Sequence, residues 1–413
     1  MVAILLVLIT AGCASVRLDV PREPSFAMED AQRSSLGRTI AGSPSSLRRL
    51  GEFVIDSDRL NRRMHNKLWV ADNAAGVIGS RNLGDEYFGA QPTGNFSDVD
   101  LFAVGPIVRE LSRAFDVYWN SASAIPLAAF ADDPSPAEGA LLRRMLRERS
   151  AGCEALSPCQ WLASSLLRSP LQAVATELVW GAAQLTYDQP DQAKISAASG
   201  IEHGLIEDDP RGARTRSELL IVTPYFIPSA DGLLHLKEMQ SRGVRVAVLT
   251  NSLASTDSPA AHAGYARHRQ ALLRNGVELF EMRPQPGARH GVSHRWGPAS
   301  PDSLHAKIIV QDRTRSIVGS LNQDPRSRLH NTEAWIAIDS AELAAELAAL
   351  FDEGVDEHHA FRPHLGGTDS ETTVKWHSEE NGIAVIHHIE PMASWWLRLW
   401  RGVLGMTLPE HML

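Results

Sequence analysis

The 413-residue sequence contains no apolar run long enough for an ordinary transmembrane helix, which needs about 20 residues. It also lacks an excess of basic residues. The formal net charge is −9 at pH 7, which argues against a nucleic-acid backbone as the main substrate. Its 44% of hydrophobic and 22% of charged residues nevertheless suit a globular protein of two domains with a substantial core.

Cysteine is scarce, with three residues in the chain. Cys153 and Cys159 lack the CxxC pairs and histidine partners of a zinc site; they suit a disulfide if the protein is exported and free thiols if it is not. Cys13 follows the apolar stretch VAILLVLITAG, residues 2–12, which resembles the end of a bacterial lipoprotein signal. We therefore expect residues 1–18 to export the protein and to anchor it to a bacterial membrane through lipidated Cys13. An uncleaved anchor is the alternative.

The chain before residue 61 also lacks elements that the second half contains. Residues 216–345, the second lobe, are predicted to contain strand 218–227, a helix ending near residue 243, strand 244–250, helix 261–275 and strand 277–282. Residues 19–60 are polar and show no counterpart of this series, so we interpret them as the remnant of a first lobe. What is left of that lobe, with a helical linker, spans residues 61–215. Its sheet would have an open edge, which a homo-oligomer could cover; a weakly folded lobe is the alternative.

One polar pattern, HxKxxxxDxxxxxxGSxN, occurs twice, 240 residues apart. The first copy comprises His65, Lys67, Asp72, Gly79, Ser80 and Asn82, and the second comprises His305, Lys307, Asp312, Gly319, Ser320 and Asn322. Each copy is predicted to be a β-hairpin with its His and Lys on one face of the first strand. The Gly before each Ser indicates a close approach of the backbone, and we expect a ligand to be what it approaches.

The residue types in this pattern suit a tetrahedral oxyanion. Lys supplies positive charge, Ser80, Asn82, Ser320 and Asn322 supply hydrogen-bond donors, and His is a nucleophile or proton carrier. Two copies that face each other across a pseudo-twofold axis would make one site, in which one imidazole attacks phosphorus and the other protonates the leaving oxygen. Neither a metal nor a cofactor is required. A lone copy would more simply be a half-buried strand with a satisfied histidine.

These motifs resemble the paired HKD motifs of the phospholipase D superfamily. Further stretches resemble bacterial cardiolipin synthases, particularly the type C branch: NRRMHNKLWVADNAAGVIGSRNLGDEYFG, VTPYFIP, RGVRVAVLTNSLASTD, HAGYARHRQALLRNGVELFE and GSLNQDPRSRLHNTE. The resemblance implies an α/β fold of two pseudo-symmetric lobes, each a β-sheet flanked by helices, with the first lobe incomplete.

The resemblance also implies a function: a transferase of phospholipid metabolism that makes cardiolipin from phospholipid donors through a phosphohistidine intermediate. The catalytic residues would be His65, Lys67, Asp72, His305, Lys307 and Asp312. His65 would be the nucleophile and His305 the acid. A phospholipase D hydrolase or another phosphodiesterase, and a catalytically dead membrane lipoprotein, are the alternatives.

Two acidic residues occupy matching places after the motifs. Asp100 lies in the predicted strand that follows the first motif, and Glu333 lies in the predicted strand that follows the second. By the repeat and by resemblance, both are candidates to orient the two catalytic imidazoles. Glu86 is the alternative in the first lobe.

Other stretches point to the lipid. By resemblance, Tyr225 and Phe226 are candidates to line the lipid or headgroup pocket, and residues 251–257 are polar enough to bind a headgroup. The C-terminal extension, residues 346–413, includes EPMASWWLRLWRGVL, with three tryptophans and two arginines. This composition is typical of an interfacial membrane helix, and a helix docked on the core is the alternative.

Overall fold

The computed structural model describes residues 2–7, 63–88, 94–126, 129, 135–153, 178–190, 215–284, 301–367, 373–380 and 382–409. The strands are β1 Val2–Val7, β2 Arg63–Met64, β3 Leu68–Ala71, β4 Ala75–Gly79, β5 Asn95–Ser97, β6 Asp100–Val104, β7 Val179–Tyr187, β8 Glu218–Val222, β9 Arg245–Asn251, β10 Glu278–Met282, β11 Pro301–Leu304, β12 Ile308–Gln311, β13 Arg315–Gly319, β14 Asn331–Thr332, β15 Ala334–Asp339, β16 Ala360–Gly366, β17 Thr373–Glu380 and β18 Ile383–His387. The helices are α1 Ile107–Trp119, α2 Pro136–Cys153, α3 Ala230–Ser241, α4 Pro259–Arg274, α5 Pro325–Leu329, α6 Ala341–Gly354 and α7 Trp395–Thr407.

The predicted α/β class is confirmed, but the described strands form one large sheet rather than one sheet for each lobe. Fourteen strands follow the order β18-β17-β16-β10-β9-β8-β12-β13-β15-β7-β1-β6-β4-β3. The lobes join where β7 pairs with β15 along six residues of each strand. Strands β8, β9 and β10 are parallel and apolar, as expected for strands that are covered on both faces.

Both predicted hairpins are present, as β3–β4 and β12–β13. Each hairpin turns through two residues in the left-handed region, Asp72 and Asn73 in the first copy and Asp312 and Arg313 in the second, with φ of 51° or 52°. Positive φ at both central positions is the geometry of a type I′ turn, which matches the twist of the flanking strands. Asp and Asn tolerate this conformation better than most residues do.

The second-lobe hairpin lies inside the sheet, with β8 on one side and β15 on the other. The first-lobe hairpin lies at the end of the sheet, because β3 is the last strand among the residues that the structure describes. Within the described ranges, β3 pairs on one side only, with β4.

Residues 2–7, which fall in the predicted lipoprotein signal, form β1. This strand pairs antiparallel with β6 and with β7, and so lies between them. Cys13, the predicted remnant 19–60 and Cys159 lie outside the described residues. Strands β16, β17 and β18 extend the opposite end of the sheet beyond β10. Among the described helices, none is long and apolar enough to cross a membrane.

Candidate active site

Each histidine is held in place by the other lobe. In the first motif, β2 pairs with β14 of the second lobe, and His65 N donates a hydrogen bond to Thr332 O at 2.9 Å. In the second motif, β11 pairs with β5 of the first lobe, and His305 N donates to Ser97 O at 2.8 Å. The two motifs are thus brought together by short segments exchanged between the lobes.

The same exchange pairs each imidazole with a carboxylate of the opposite lobe. His65 Nδ1 lies 2.9 Å from Glu333 Oε2, and His305 Nδ1 lies 2.7 Å from Asp98 Oδ1. Glu333 and Asp98 are both buried. An Nδ1–H donated to a carboxylate leaves the Nε2 lone pair available for attack or for proton transfer.

The expectation that Asp100 orients a histidine does not fit these contacts. Its carboxylate instead accepts hydrogen bonds from Arg81 Nε at 2.7 Å and from the backbone N–H of Ser80 at 3.1 Å. The other candidate, Glu86, contacts neither histidine within the described ranges. Asp98, two residues before Asp100, makes the contact that sequence comparison assigned to Asp100.

Equivalent hydrogen bonds show which residues of the two lobes correspond after each motif. Val99 N donates to Ser80 Oγ at 3.2 Å, and Ala334 N donates to Ser320 Oγ at 3.0 Å. Val99 therefore matches Ala334, and the residues just before them, Asp98 and Glu333, match each other. The two pairs are 19 and 14 residues apart in sequence, so loops of different length separate motif and carboxylate. A fixed spacing could not reveal this match.

The two lysines lie close enough to influence each other. Lys67 Nζ donates to His65 O at 2.7 Å, and Lys307 Nζ donates to His305 O at 2.6 Å. Each ammonium group is therefore held by the backbone of the histidine in its own motif. Burial, together with the charge of Lys307, lowers the pKa of Lys67 to about 7. Burial lowers the pKa of Lys307 to about 8, against the attraction of Asp98 and Glu333. Paired, partly desolvated ammonium groups are suited to bind an anion.

The surroundings of both histidines favour the neutral imidazole. Burial lowers the pKa of His65, and Glu333 opposes that shift. Burial and the charge of Lys307 lower the pKa of His305 to about 4. A bound phosphodiester would counter both lysine charges and raise the pKa of each imidazole, because an adjacent negative charge favours the protonated form.

The other motif residues have mainly structural contacts. Asp312 lies at the far end of β12 from His305, where its carboxylate accepts hydrogen bonds from the backbone N–H groups of Arg216, Ser217 and Glu218. Asp72 occupies the matching turn of the first hairpin. Neither aspartate touches a histidine among the described contacts, because a four-residue strand separates each turn from its His-Lys pair.

The predicted phosphate donors differ in what they contact. Ser80 Oγ donates to Val99 O at 3.2 Å, and Ser320 Oγ donates to the Glu333 carboxylate, so both hydroxyls hold the segment that carries the carboxylate paired with a histidine. Asn82 Nδ2 donates to Tyr87 Oη at 2.7 Å. Asn322 is buried and its Oδ1 has no hydrogen-bond partner within the described structure, which leaves this side chain available to a ligand.

The glycines before the serines approach the neighbouring strand rather than a ligand. A Cβ on Gly79 would lie 2.6 Å from Val99 O, and one on Gly319 would lie 2.5 Å from Trp335 Cα. Either contact is too close for any side chain. These glycines allow β4 and β13 to approach the strand that carries the carboxylate.

Sequence reasoning also missed an aromatic contact with the second histidine. The ring of Tyr87 lies edge-on to His305 at 5.1 Å between centroids, and Tyr87 stacks on Phe96 at 4.8 Å. Both rings come from the first lobe, and neither position carries a repeat signal in the sequence. Among the described residues, no group of three or more His, Cys, Asp or Glu side chains is arranged to hold a metal ion.

Comparison with known proteins agrees with the class indicated by the motifs. The family model described as "Cardiolipin synthase, PLD-like domain" matches residues 213–354. The chain is 35% identical to cardiolipin synthase C of Escherichia coli (strain K12) over 363 residues, covering 86% of this chain and 73% of that protein. It is 26% identical to cardiolipin synthase A of Pseudomonas aeruginosa over 76% of this chain and 50% of that protein.

Among solved structures, phosphatidylserine synthase of Haemophilus influenzae Rd KW20 matches 72% of this chain and 63% of that chain, with a TM-score of 0.46 and 14% identity. The sequence match to the Escherichia coli protein is extensive enough to define the family. The chain belongs to the cardiolipin synthase family of phospholipase D-like proteins.

Proposed function

We propose that this protein is a phosphatidyltransferase that makes cardiolipin from phospholipid donors through a phosphohistidine. The observation that carries the proposal is the reciprocal pairing of His65 with Glu333 and of His305 with Asp98. Two imidazoles with equivalent partners and adjacent lysines suit a two-step transfer, in which the same site runs a displacement forward and then in reverse.

In the first step, His65 Nε2 attacks the phosphorus of the donor, a P–N bond forms and the P–O bond to the headgroup alcohol breaks. His305 gives a proton to the departing oxygen, and Lys67 and Lys307 balance the phosphoryl charge. His65 suits the role of nucleophile because its side chain is 22% exposed, against 8% for His305. Glu333 stabilises the positive charge that forms on His65 as the P–N bond is made.

In the second step, a hydroxyl group of another phospholipid attacks the phosphorus and the P–N bond breaks. His305, now neutral, takes the proton of that hydroxyl and is ready for the next cycle. If water attacks instead, the product is phosphatidic acid. The phospholipase D alternative thus differs from the transferase only in the acceptor.

The substrate would reach this site from a bilayer that the C-terminal extension contacts. Trp395 is 71% exposed, and no residue of α7 is buried. A C-terminal apolar face is formed on α7 by the exposed side chains of Trp395, Trp396 and Trp400, because residues four apart, such as 396 and 400, lie on the same side of a helix. Tryptophan side chains favour the headgroup level of a bilayer, so a phospholipid surface is the partner that we infer for this face.

The position of α7 supports this inference. Arg267, in the middle of α4, donates to Gly405 O at 2.6 Å and to Leu408 O at 2.7 Å, which fixes the end of α7 against α4. Helix α4 begins at Pro259, directly after the 251–257 segment. The helix that carries the C-terminal apolar face therefore packs on the helix that follows the 251–257 segment.

Lipid attachment at Cys13 stays a prediction with a structural consequence. Cleavage before Cys13 would remove residues 1–12, and with them β1, from between β6 and β7. Cleavage before Cys13 and insertion of β1 in the sheet are therefore mutually exclusive states. Mass spectrometry of the N-terminus would distinguish them.

Incubation of the purified protein with vesicles of labelled phosphatidylglycerol tests the proposed function. Cardiolipin should form with the wild type, while His65→Ala and His305→Ala should each lower turnover by about 10³-fold or more. His388→Ala is a matched control, because His388 is exposed and lies away from both motifs in sequence. Phosphatidic acid as the sole lipid product would identify a hydrolase instead. Equal turnover by wild type and both active-site variants would reject the site.

A further inference from the structure

We propose that Asp257 and Tyr225, together with Tyr87 of the first lobe, form a subsite for the hydroxyl groups of an uncharged polyol acceptor. This inference rests on the proposed function and specifies its second substrate. The chemical class is a glycerol-like group with neighbouring hydroxyls, whether it is carried by a phospholipid headgroup or is free in solution.

The segment that carries Asp257 is anchored directly beside the second motif. Asn251 accepts a hydrogen bond from Leu304 N at 2.9 Å and donates one to Leu304 O at 2.8 Å. Ser255 Oγ donates to Asn251 Oδ1 at 3.0 Å. Asn251 and Ser255 are both buried, and Leu304 immediately precedes His305. The position of the segment relative to the reacting imidazole is therefore set by buried hydrogen bonds.

At the end of this segment, the Asp257 carboxylate is exposed, and only part of its hydrogen-bonding capacity is used. The Tyr225 hydroxyl lies 2.8 Å and 2.9 Å from its two oxygens. One phenolic proton can satisfy one oxygen at a time, so the carboxylate retains acceptor capacity. Burial and the charge of Asp257 raise the pKa of Tyr225 well above its usual range, which keeps that hydroxyl protonated. Tyr225 thus holds Asp257 in place and leaves its outer lone pairs free.

Tyr87 supplies the opposite hydrogen-bonding character. Its hydroxyl accepts the proton of Asn82 Nδ2, so its own O–H is available as a donor. Its ring also contacts His305 edge-on. The segment that ends at Asp257 is hydrogen-bonded through Asn251 to Leu304, the residue before His305. Donor and acceptor are therefore both attached beside the second histidine.

The charge of Asp257 selects the class of ligand. A carboxylate repels the oxygens of a phosphate group, whereas it accepts hydrogen bonds from alcohols. The ammonium groups of Lys67 and Lys307 suit the phosphoryl group, and the Asp257 end suits a neutral hydroxylated group. A hydroxyl held there would have its oxygen near His305, the residue proposed to take its proton.

The test measures the partition of the phosphoenzyme between an alcohol and water. Vesicles of phosphatidylglycerol are incubated with the full-length protein, with and without added isotope-labelled glycerol, and cardiolipin, phosphatidylglycerol that has gained the isotope, and phosphatidic acid are quantified. The variants are Asp257→Ala, Asp257→Asn and Tyr225→Phe. Asp231→Asn is the control, because Asp231 is also exposed but lies in the first turn of α3, outside the 251–257 segment.

We expect Asp257→Ala to lower the ratio of alcohol products to phosphatidic acid by about tenfold or more, and Asp257→Asn to lower it less because an amide oxygen still accepts a hydrogen bond. If only the ratio of cardiolipin to phosphatidic acid falls, the lipid headgroup is the natural ligand. If the ratio of phosphatidylglycerol made from added glycerol falls as well, the subsite accepts any polyol. A constant ratio, or a proportional loss of every product, overturns the subsite. If the wild type makes no product at all, the proposed function fails and the subsite fails with it.

Discussion

The two hairpins carry the same polar pattern in very different surroundings. Strand β12 of the second lobe is buried along its whole length between β8 and β13, whereas β3 of the first lobe is the last strand of the described sheet, with Trp69 50% exposed. Their histidines are nevertheless held alike, each by a backbone hydrogen bond and a carboxylate from the opposite lobe. The site therefore depends on contacts between the lobes more than on the completeness of either one.

The largest effect should come from breaking these contacts on either side. Asp98→Asn and Glu333→Gln should each lower kcat by about 10²-fold or more, because an amide no longer favours the required tautomer or the positive charge on the imidazole. Steady-state assays with phosphatidylglycerol vesicles measure this. Asp100→Asn is the matched control: it lies two residues away and contacts Arg81 instead. Activity lost in Asp100→Asn and retained in Asp98→Asn would reverse the assignment.

A second test compares the stability of the two hairpins. Ile309 is 4% exposed in the central strand β12, so Ile309→Ala should lower the free energy of unfolding by about 2–5 kcal/mol. Trp69→Ala at the sheet edge should cost about 1 kcal/mol or less, since half of the ring is already in water. Thermal or urea unfolding of both variants gives the comparison. A larger loss for Trp69→Ala would mean that another chain covers the edge.

The exposed tryptophans of the two halves should also differ in how much they contribute to binding a phospholipid surface. Replacement of Trp395, Trp396 and Trp400 together by Ala should weaken binding to phosphatidylglycerol vesicles by about tenfold or more. Trp119→Ala is the control, because Trp119 is comparably exposed on the first lobe. Vesicle co-sedimentation measures the affinity. A change from dimer to monomer in light scattering, with vesicle binding intact, would instead assign the C-terminal apolar face to a second copy of the chain.

The smallest effect concerns pH and distinguishes the lysines of the two motifs. Since burial lowers the pKa of Lys67 to about 7 and that of Lys307 to about 8, kcat/KM should fall as pH rises through this range and the ammonium charges are lost. Lys67→Arg should remove the earlier part of the fall, and Lys307→Arg should not.

Protein stability should not follow this loss of activity. A lysine with a lowered pKa in the folded state is neutral there while the unfolded chain still binds the proton. Its contribution to the free energy of unfolding therefore rises between about pH 7 and the ordinary lysine pKa. Melting curves at pH 7 and 9 separate the two effects: a fall in both activity and melting temperature would indicate unfolding rather than titration at the site.

Much of the fold could be read from local patterns. The apolar runs of the second lobe predicted β8, β9, β10, α3 and α4, because burial of parallel strands and of one helix face leaves a strong periodic signal. The His-Lys pairs were placed on strands, but β3 begins at Leu68 and β12 at Ile308, just after each pair. Those residues instead follow segments that pair with the other lobe, and a contact so distant in sequence leaves no local pattern.

The residues alone predict two copies of His, Lys, Ser and Asn at fixed spacing, in hairpins whose turns and glycines suit their backbone. Which carboxylate meets which imidazole depends on the fold. Asp98 rather than Asp100 reaches His305, and Glu333 crosses to His65, because strand register and the exchanged segments set those distances. The fold also keeps the two aspartates of the motifs in their turns. Spacing along a chain specifies which groups are available, and packing between distant segments specifies which of them meet.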